Sequence, residues 1–145
     1  MKIENKKAAG YCRVKIGEQN EQSIEQQKYL ISQYAEEYGY TITDWYGDIV
    51  WNDEIETRLK YWEMMKDVAN GNVNGIIVAQ LNRISENIFD FPETEKMLAK
   101  YNCAFVSVAE KLDDSVTGKA MTNILSTIVD FCSRQLGEAD APAEQ

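Results

Sequence analysis

The sequence predicts one α/β domain with a mostly parallel central sheet and helices on both faces. The chain has 145 residues, a length that suits one compact domain with a real core. Segments typical of strands and of helices alternate along it, as in parallel α/β folds. The run 75–79 is continuously apolar, as expected of a central strand that is covered on both faces.

The four predicted strands are runs of apolar, β-branched or aromatic residues, at 8–14, 40–46, 75–79 and 103–108. Four helices alternate with them, at 23–38, at 57 to about 71, at 87–101 and at 117–136. The first helix has the clearest local signal, because Ser23 and Gln26 suit a capping box and Gly39 suits a stop. Pro92 must lie in the first turns of the third helix, since a proline ring is tolerated there. Thr57 is the predicted cap of the second helix.

The last predicted helix carries an apolar band that is wider than the stripe of one buried face. Either it is buried on two sides, against its domain and against a partner, or it lies sunk within its own domain. We expect an interface of a homodimer or hetero-oligomer, formed by Met121, Ile124, Ile128 and Phe131. The apolar pattern stops at Gly137. We therefore expect a domain over 1–136 and a disordered acidic tail over 137–145.

Composition excludes several classes of function. There is no histidine, which excludes histidine acid–base catalysis and histidine metal ligands. The three cysteines lie far apart and form no CxxC pair, so we expect reduced thiols in the cytoplasm, no metal and no cofactor. No apolar run approaches the length of a membrane span. A net charge of −9 predicts weak DNA binding by this chain alone, because DNA-binding proteins usually present a basic face.

Charged and polar residues follow two of the predicted strands. Lys15 lies just past the end of the first predicted strand, and Asn82 and Arg83 follow the third. In open parallel sheets the carboxyl ends of the strands lie along one edge, where ligands gather. The sequence therefore predicts that these residues lie near one another.

Four segments, in this order, resemble the catalytic domain of the serine recombinases, which comprise resolvases, DNA invertases and serine integrases. The segment 11–27 contains YCRVK, then Gln19, then SIEQQ, and is similar to the family's Tyr-x-Arg-Val-Ser, Gln and Ser-x-x-x-Gln. Residues 57–59 (TRL) resemble the Arg-Pro of its second helix, and 81–86 (LNRISE) its Leu-Asp-Arg-Leu-Ser-Arg. The run 113–121 resembles the entry to its long last helix. The resemblance covers about residues 8–136.

The resemblance implies metal-independent phosphoryl transfer, in which a serine attacks a DNA phosphodiester and forms a 5′-phosphoserine link. Arginines surround the phosphate in such a site, because charge accumulates on its non-bridging oxygens. The matching residues here are Arg13, Arg58, Arg83 and Gln19. Three positions depart from the family: Lys15 stands at the nucleophile, Asn82 at an aspartate and Glu86 at an arginine.

The expected function is therefore a recombination-family domain without its nucleophile. The three substitutions together leave the formal charge of the site unchanged, and we expect an ion pair between Lys15 and Glu86. Lys15 could instead attack as an amine and form a phosphoramidate, which we disfavour because Glu86 shares the pocket. We expect a catalytically inactive domain that acts through protein–protein contacts, as a homodimer or as a hetero-oligomer with an active recombinase. By the resemblance it contacts DNA, which we expect it to bind only weakly on its own. The alternative is an active or partner-dependent fragment of a longer DNA-binding protein.

Overall fold

Four parallel strands form the sheet, in the order β2-β1-β3-β4. The structure is a computed structural model that describes residues 6–17, 23–51, 58–85, 90–113 and 115–140. The strands are β1 (Lys6–Lys15), β2 (Tyr40–Val50), β3 (Gly75–Val78) and β4 (Ala104–Ser107). The helices are α1 (Ile24–Tyr38), α2 (Leu59–Ala69), α3 (Phe91–Lys100) and α4 (Val116–Asp140), and a 3₁₀ turn, Leu81–Arg83, follows β3. The predicted fold class is confirmed.

Two buried clusters cover the two faces of the sheet. On one face α1 packs on alternate sheet residues, among them Ala8, Cys12, Ile77 and Val106. On the other face α2 and α3, through residues such as Tyr61 and Leu98, pack on sheet residues that include Tyr11 and Ile76. Helices therefore lie on both faces, as the continuous apolar run of β3 predicts. No helix in the described part of the chain is long and apolar enough to cross a membrane.

Strand β2 continues to Val50, four residues beyond the predicted end at 46. The prediction ended early because Asp48 interrupts the apolar pattern. In the structure Asp48 is buried, and its carboxylate accepts hydrogen bonds from the backbone N–H groups of Lys60 and Tyr61 at 2.9 and 2.8 Å. The first turn of α2 thus satisfies the buried charge, and the strand extends past it.

The helix ends follow local rules. Both hydrogen bonds of the predicted capping box are present at the start of α1, and Gly39 ends this helix in the left-handed conformation with φ 81°. Pro92 is the second residue of α3. Helix α4 continues to Asp140, beyond its predicted end at 136. The predicted cap Thr57, the predicted opening of α3 at 87–89 and residues 141–145 lie outside the described residues.

Candidate active site

Strand β1 extends past β3, and its last residues carry the candidate site. The last paired residue of β1 with β3 is Tyr11, opposite Val78, whereas pairing with β2 continues to Lys15. Gln27 of α1 completes the hydrogen bonding where β3 has ended. Its Nε2 donates to the carbonyl oxygen of Arg13 at 2.9 Å, and its Oε1 accepts from the backbone N–H of Arg13 at 3.1 Å. Gln27 is fully buried, so a helix side chain holds the strand tip in place.

Three arginines converge at this tip. Arg13, Arg58 and Arg83 are 1%, 2% and 4% exposed, which is rare for charged side chains. Arg13 Nη2 donates to the carbonyl oxygen of Asn82 at 2.9 Å, and Arg83 Nη1 donates to that of Arg13 at 3.5 Å. Arg58 Nη1 donates to the carbonyl oxygen of Ile84 at 3.0 Å. The structure therefore brings the end of β1 and the Leu81–Arg83 turn together.

Asp48 is a buried carboxylate beside this cluster, and the sequence analysis missed it. It lies opposite Arg13 in the pairing of β1 with β2, and it is 6% exposed. Besides the two amides of α2, it accepts a hydrogen bond from the Tyr11 hydroxyl at 2.8 Å. Burial first, and then the Asp48 carboxylate, raise the pKa of Tyr11 well above its ordinary value. The sequence signal that could have revealed Asp48 is an acidic residue inside a strand, because a buried carboxylate needs hydrogen-bond donors around it.

Lys15 is the last residue of β1 and is half-buried. Because side chains alternate along a strand, it lies on the same face of the sheet as Tyr11 and Arg13, the face that α2 covers. Asn82 is exposed, and its backbone carbonyl oxygen accepts the hydrogen bond from Arg13 Nη2. The predicted site residues Gln19 and Glu86 lie outside the described residues, and with them the predicted ion pair between Lys15 and Glu86.

Chemically, the described part of the site can act as an array of hydrogen-bond donors. Guanidinium groups bind phosphate oxygens well, because their fixed fork can donate two parallel hydrogen bonds. The Nε of Arg58 has no hydrogen-bond partner among the described residues. In the same part of the chain, no group of three or more cysteine or acidic side chains is arranged to hold a metal ion.

The apolar band of α4 divides into a buried side and an exposed side. Thr122 and Val129 are buried, and Leu125 packs against the cluster beneath α2 and α3. The predicted interface residues are 46–55% exposed: Met121, Ile124, Ile128 and Phe131. At about 100° per residue, the exposed set lies roughly 110° around the helix from the buried set. The helix therefore presents a second apolar stripe to the outside of its own domain.

Comparisons with known proteins place the chain in the class of site-specific recombination proteins. A family model described as "Resolvase, N terminal domain" matches residues 8–143. The chain therefore belongs to the resolvase N-terminal domain family, the catalytic-domain family of the serine recombinases. Proteins of this family act as oligomers on DNA. No match was found among curated proteins.

Solved structures give the same result. The N-terminal catalytic domain of TP901-1 integrase is 29% identical, with a TM-score of 0.77, over 90% of this chain and 98% of that chain. A resolvase family site-specific recombinase from Streptococcus pneumoniae is 26% identical, with a TM-score of 0.76, over 96% of this chain and 95% of that chain. The C-terminal catalytic domain of ISC1926 TnpA, an IS607-like serine recombinase, is 18% identical with a TM-score of 0.62, over 90% and 99%, and bears on the fold alone.

Proposed function

We propose that this chain is a serine-recombinase-family domain that does not cleave DNA and that acts by pairing with another recombinase domain through α4. The observation that carries the proposal is Lys15 at the end of β1. Its segment, 11–15 (YCRVK), resembles the family's Tyr-x-Arg-Val-Ser, in which the serine is the nucleophile. A serine hydroxyl is neutral and can lose its proton as it attacks, whereas a lysine amine is ordinarily protonated near neutral pH and then has no lone pair for the attack.

The arginine cluster supports a pocket that keeps affinity for phosphate without the attacking group. Arg13, Arg58 and Arg83 all lie at the tip of β1, where their positive charges are concentrated in a small buried volume. A guanidinium carries five N–H donors. Arg58 Nη1 donates to the carbonyl oxygen of Ile84, and its Nε has no hydrogen-bond partner among the described residues, so Arg58 has a donor to offer an anion. In this proposal the pocket contributes to contact with DNA phosphate, and the chemistry belongs to a partner.

Cleavage is tested with the unaltered chain and with Lys15→Ser. Both are incubated with supercoiled DNA that carries candidate crossover sites, and an active serine recombinase on its own site serves as the positive control. We expect neither nicking nor a covalent protein–DNA adduct from the unaltered chain. Lys15→Ser alone should also remain inactive, because Asn82 and Glu86 still depart from the family pattern. A stable adduct mapped to Lys15 by mass spectrometry would refute the proposal.

Pairing through α4 is supported by the spacing of its exposed apolar residues. Met121, Ile124, Ile128 and Phe131 follow one another at intervals of three, four and three residues, the spacing of a seam between two helices. Exposed apolar patches of this kind commonly mark protein interfaces. The second candidate, an active fragment of a longer DNA-binding protein, would use the same stripe, so the cleavage assay separates the two.

The matched pair Ile128→Glu and Asn123→Glu tests the stripe. Both positions are exposed on α4 and both variants add the same charge, but Asn123 lies roughly 120° around the helix from the centre of the stripe. Ile128 is 53% exposed, so its burial contributes about 1 kcal/mol per copy, and its loss from a symmetric dimer weakens association at least roughly thirtyfold. Sedimentation should show this weakening for Ile128→Glu and little change for Asn123→Glu. A chain that stays monomeric at high concentration and binds no co-encoded recombinase would contradict pairing.

A further inference from the structure

Glu110, in the turn after β4, holds the segment that carries Arg83. The backbone N–H of Leu81 donates to both carboxylate oxygens of Glu110, at 3.0 and 3.3 Å. The Ser107 hydroxyl donates to the same carboxylate. The first N–H group of a helical turn has no partner within the turn, so an acceptor from elsewhere must satisfy it. Glu110 supplies that acceptor from 29 residues away along the chain.

The segment that Glu110 holds, the Leu81–Arg83 turn, supplies part of the arginine cluster. Leu81 begins the 3₁₀ turn, the carbonyl oxygen of Asn82 receives Arg13, and Arg83 donates back to the carbonyl oxygen of Arg13. A shift of this turn therefore moves the Arg83 guanidinium and also removes an acceptor from Arg13. The Glu110 carboxylate ties the backbone at the start of the turn to the loop after β4, in addition to the burial of the Leu81 side chain in the core.

The loop that carries Glu110 is also tied to the start of α4. Ser107 and Leu112 exchange backbone hydrogen bonds of 2.7 and 3.1 Å, which close the loop around Glu110. Asp113 follows, and its Oδ1 accepts from the backbone N–H of Ser115 at 3.0 Å. The Ser115 hydroxyl accepts in turn from the N–H of Gly118 at 3.0 Å, as a helix N-cap does. A continuous set of short contacts thus leads from the first turn of α4 to Leu81.

We propose that Glu110 is a positioning residue of the arginine site and that it links this site to the start of α4. The carboxylate acts by fixing the turn on which the Arg83 side chain is mounted. The inference rests on the proposed phosphate pocket, and the link it describes joins the arginine site to the first turn of α4.

The test compares Glu110→Ala with Glu110→Gln in the full chain. Glutamine keeps an oxygen that can accept from Leu81, and its amide can donate to the Ser107 hydroxyl, whereas alanine has neither group. Two readouts come from NMR: hydrogen exchange of the Leu81 amide, and a titration with inorganic sulfate that follows the Arg83 Nε–H resonance. For Glu110→Ala we expect exchange about tenfold faster and a sulfate midpoint about tenfold higher, the size of one lost hydrogen bond. Glu110→Gln should stay within about threefold of the unaltered chain on both readouts, because it restores the acceptor.

The positioning role is overturned if Glu110→Ala matches the unaltered chain, or if Glu110→Gln is as defective as Glu110→Ala. If the unaltered chain does not bind sulfate, the proposed phosphate pocket fails, and exchange at Leu81 alone decides the role of Glu110. The link to α4 is tested with Ser115→Ala, which removes the helix cap. It should speed exchange at Leu81 in the unaltered chain and have no further effect in Glu110→Ala; independent, additive effects would overturn the link.

Discussion

Replacement of Asp48 by alanine should destabilise the fold by about 4 kcal/mol. The carboxylate accepts three hydrogen bonds, from the Tyr11 hydroxyl and from the backbone amides of Lys60 and Tyr61. The Tyr11 hydroxyl is fully buried, and leaving it without an acceptor costs about 1–3 kcal/mol. Loss of an acceptor at the start of a helix costs about 1 kcal/mol, and the second amide of α2 adds a comparable amount.

Asp48→Asn should cost about half as much, because asparagine keeps one acceptor oxygen. Tyr11→Phe removes the buried hydroxyl together with its need for a partner. In that background Asp48→Ala should therefore cost less by about 1–3 kcal/mol. The free energy of unfolding would be measured by urea titration, with circular dichroism and tryptophan fluorescence as independent probes. The reasoning is refuted if Asp48→Ala lies within about 1 kcal/mol of the unaltered chain, or if its cost is the same with Tyr11→Phe.

Two further predictions follow from buried titratable groups. Burial raises the pKa of Cys12 to about 11 and that of Cys103 to about 12. Iodoacetamide should therefore label the exposed Cys132 first, and the other two cysteines only on unfolding. Mass spectrometry that finds Cys12 labelled early in the folded chain would contradict this prediction. The pKa of Tyr11 is raised above its unfolded value, chiefly by burial and then by Asp48, so its contribution to stability is complete below about pH 10 and is lost as pH rises further. Urea titrations between about pH 9 and pH 11 should therefore show a smaller decline in the free energy of unfolding for Tyr11→Phe than for the unaltered chain, and equal declines would show that Tyr11 is not responsible.

Sequence-based reasoning succeeded where the determining contacts are local. The capping box of Ser23 and Gln26 acts across three residues, and Gly39 ends its helix through its own backbone conformation. The strand–helix order and the two-sided helix cover followed from periodicity. The split of the α4 band into a buried and an exposed stripe also followed the width of its apolar pattern, although its role as an interface stays a prediction.

Reasoning from sequence failed where a side chain serves a distant backbone group. Gln27 bonds to a residue 14 positions away, Asp48 to amides 12 and 13 positions away, and Glu110 to an amide 29 positions away. No local pattern encodes such contacts, since each depends on how the elements pack. The arginines of the site were found through family resemblance, because composition alone places arginine at the surface. The ion pair between Lys15 and Glu86 stays a prediction.

The hydrogen bonds of the Gln27 side-chain amide bear on which substitutions the end of β1 can accept. The tip of β1 is anchored at Arg13 by Gln27 and along its other edge by β2, and neither anchor involves the side chain of Lys15. These two anchors therefore hold the backbone at position 15 through groups other than its side chain. A substitution at position 15 can therefore change the chemistry of the site and leave these backbone hydrogen bonds, and with them the end of β1, intact.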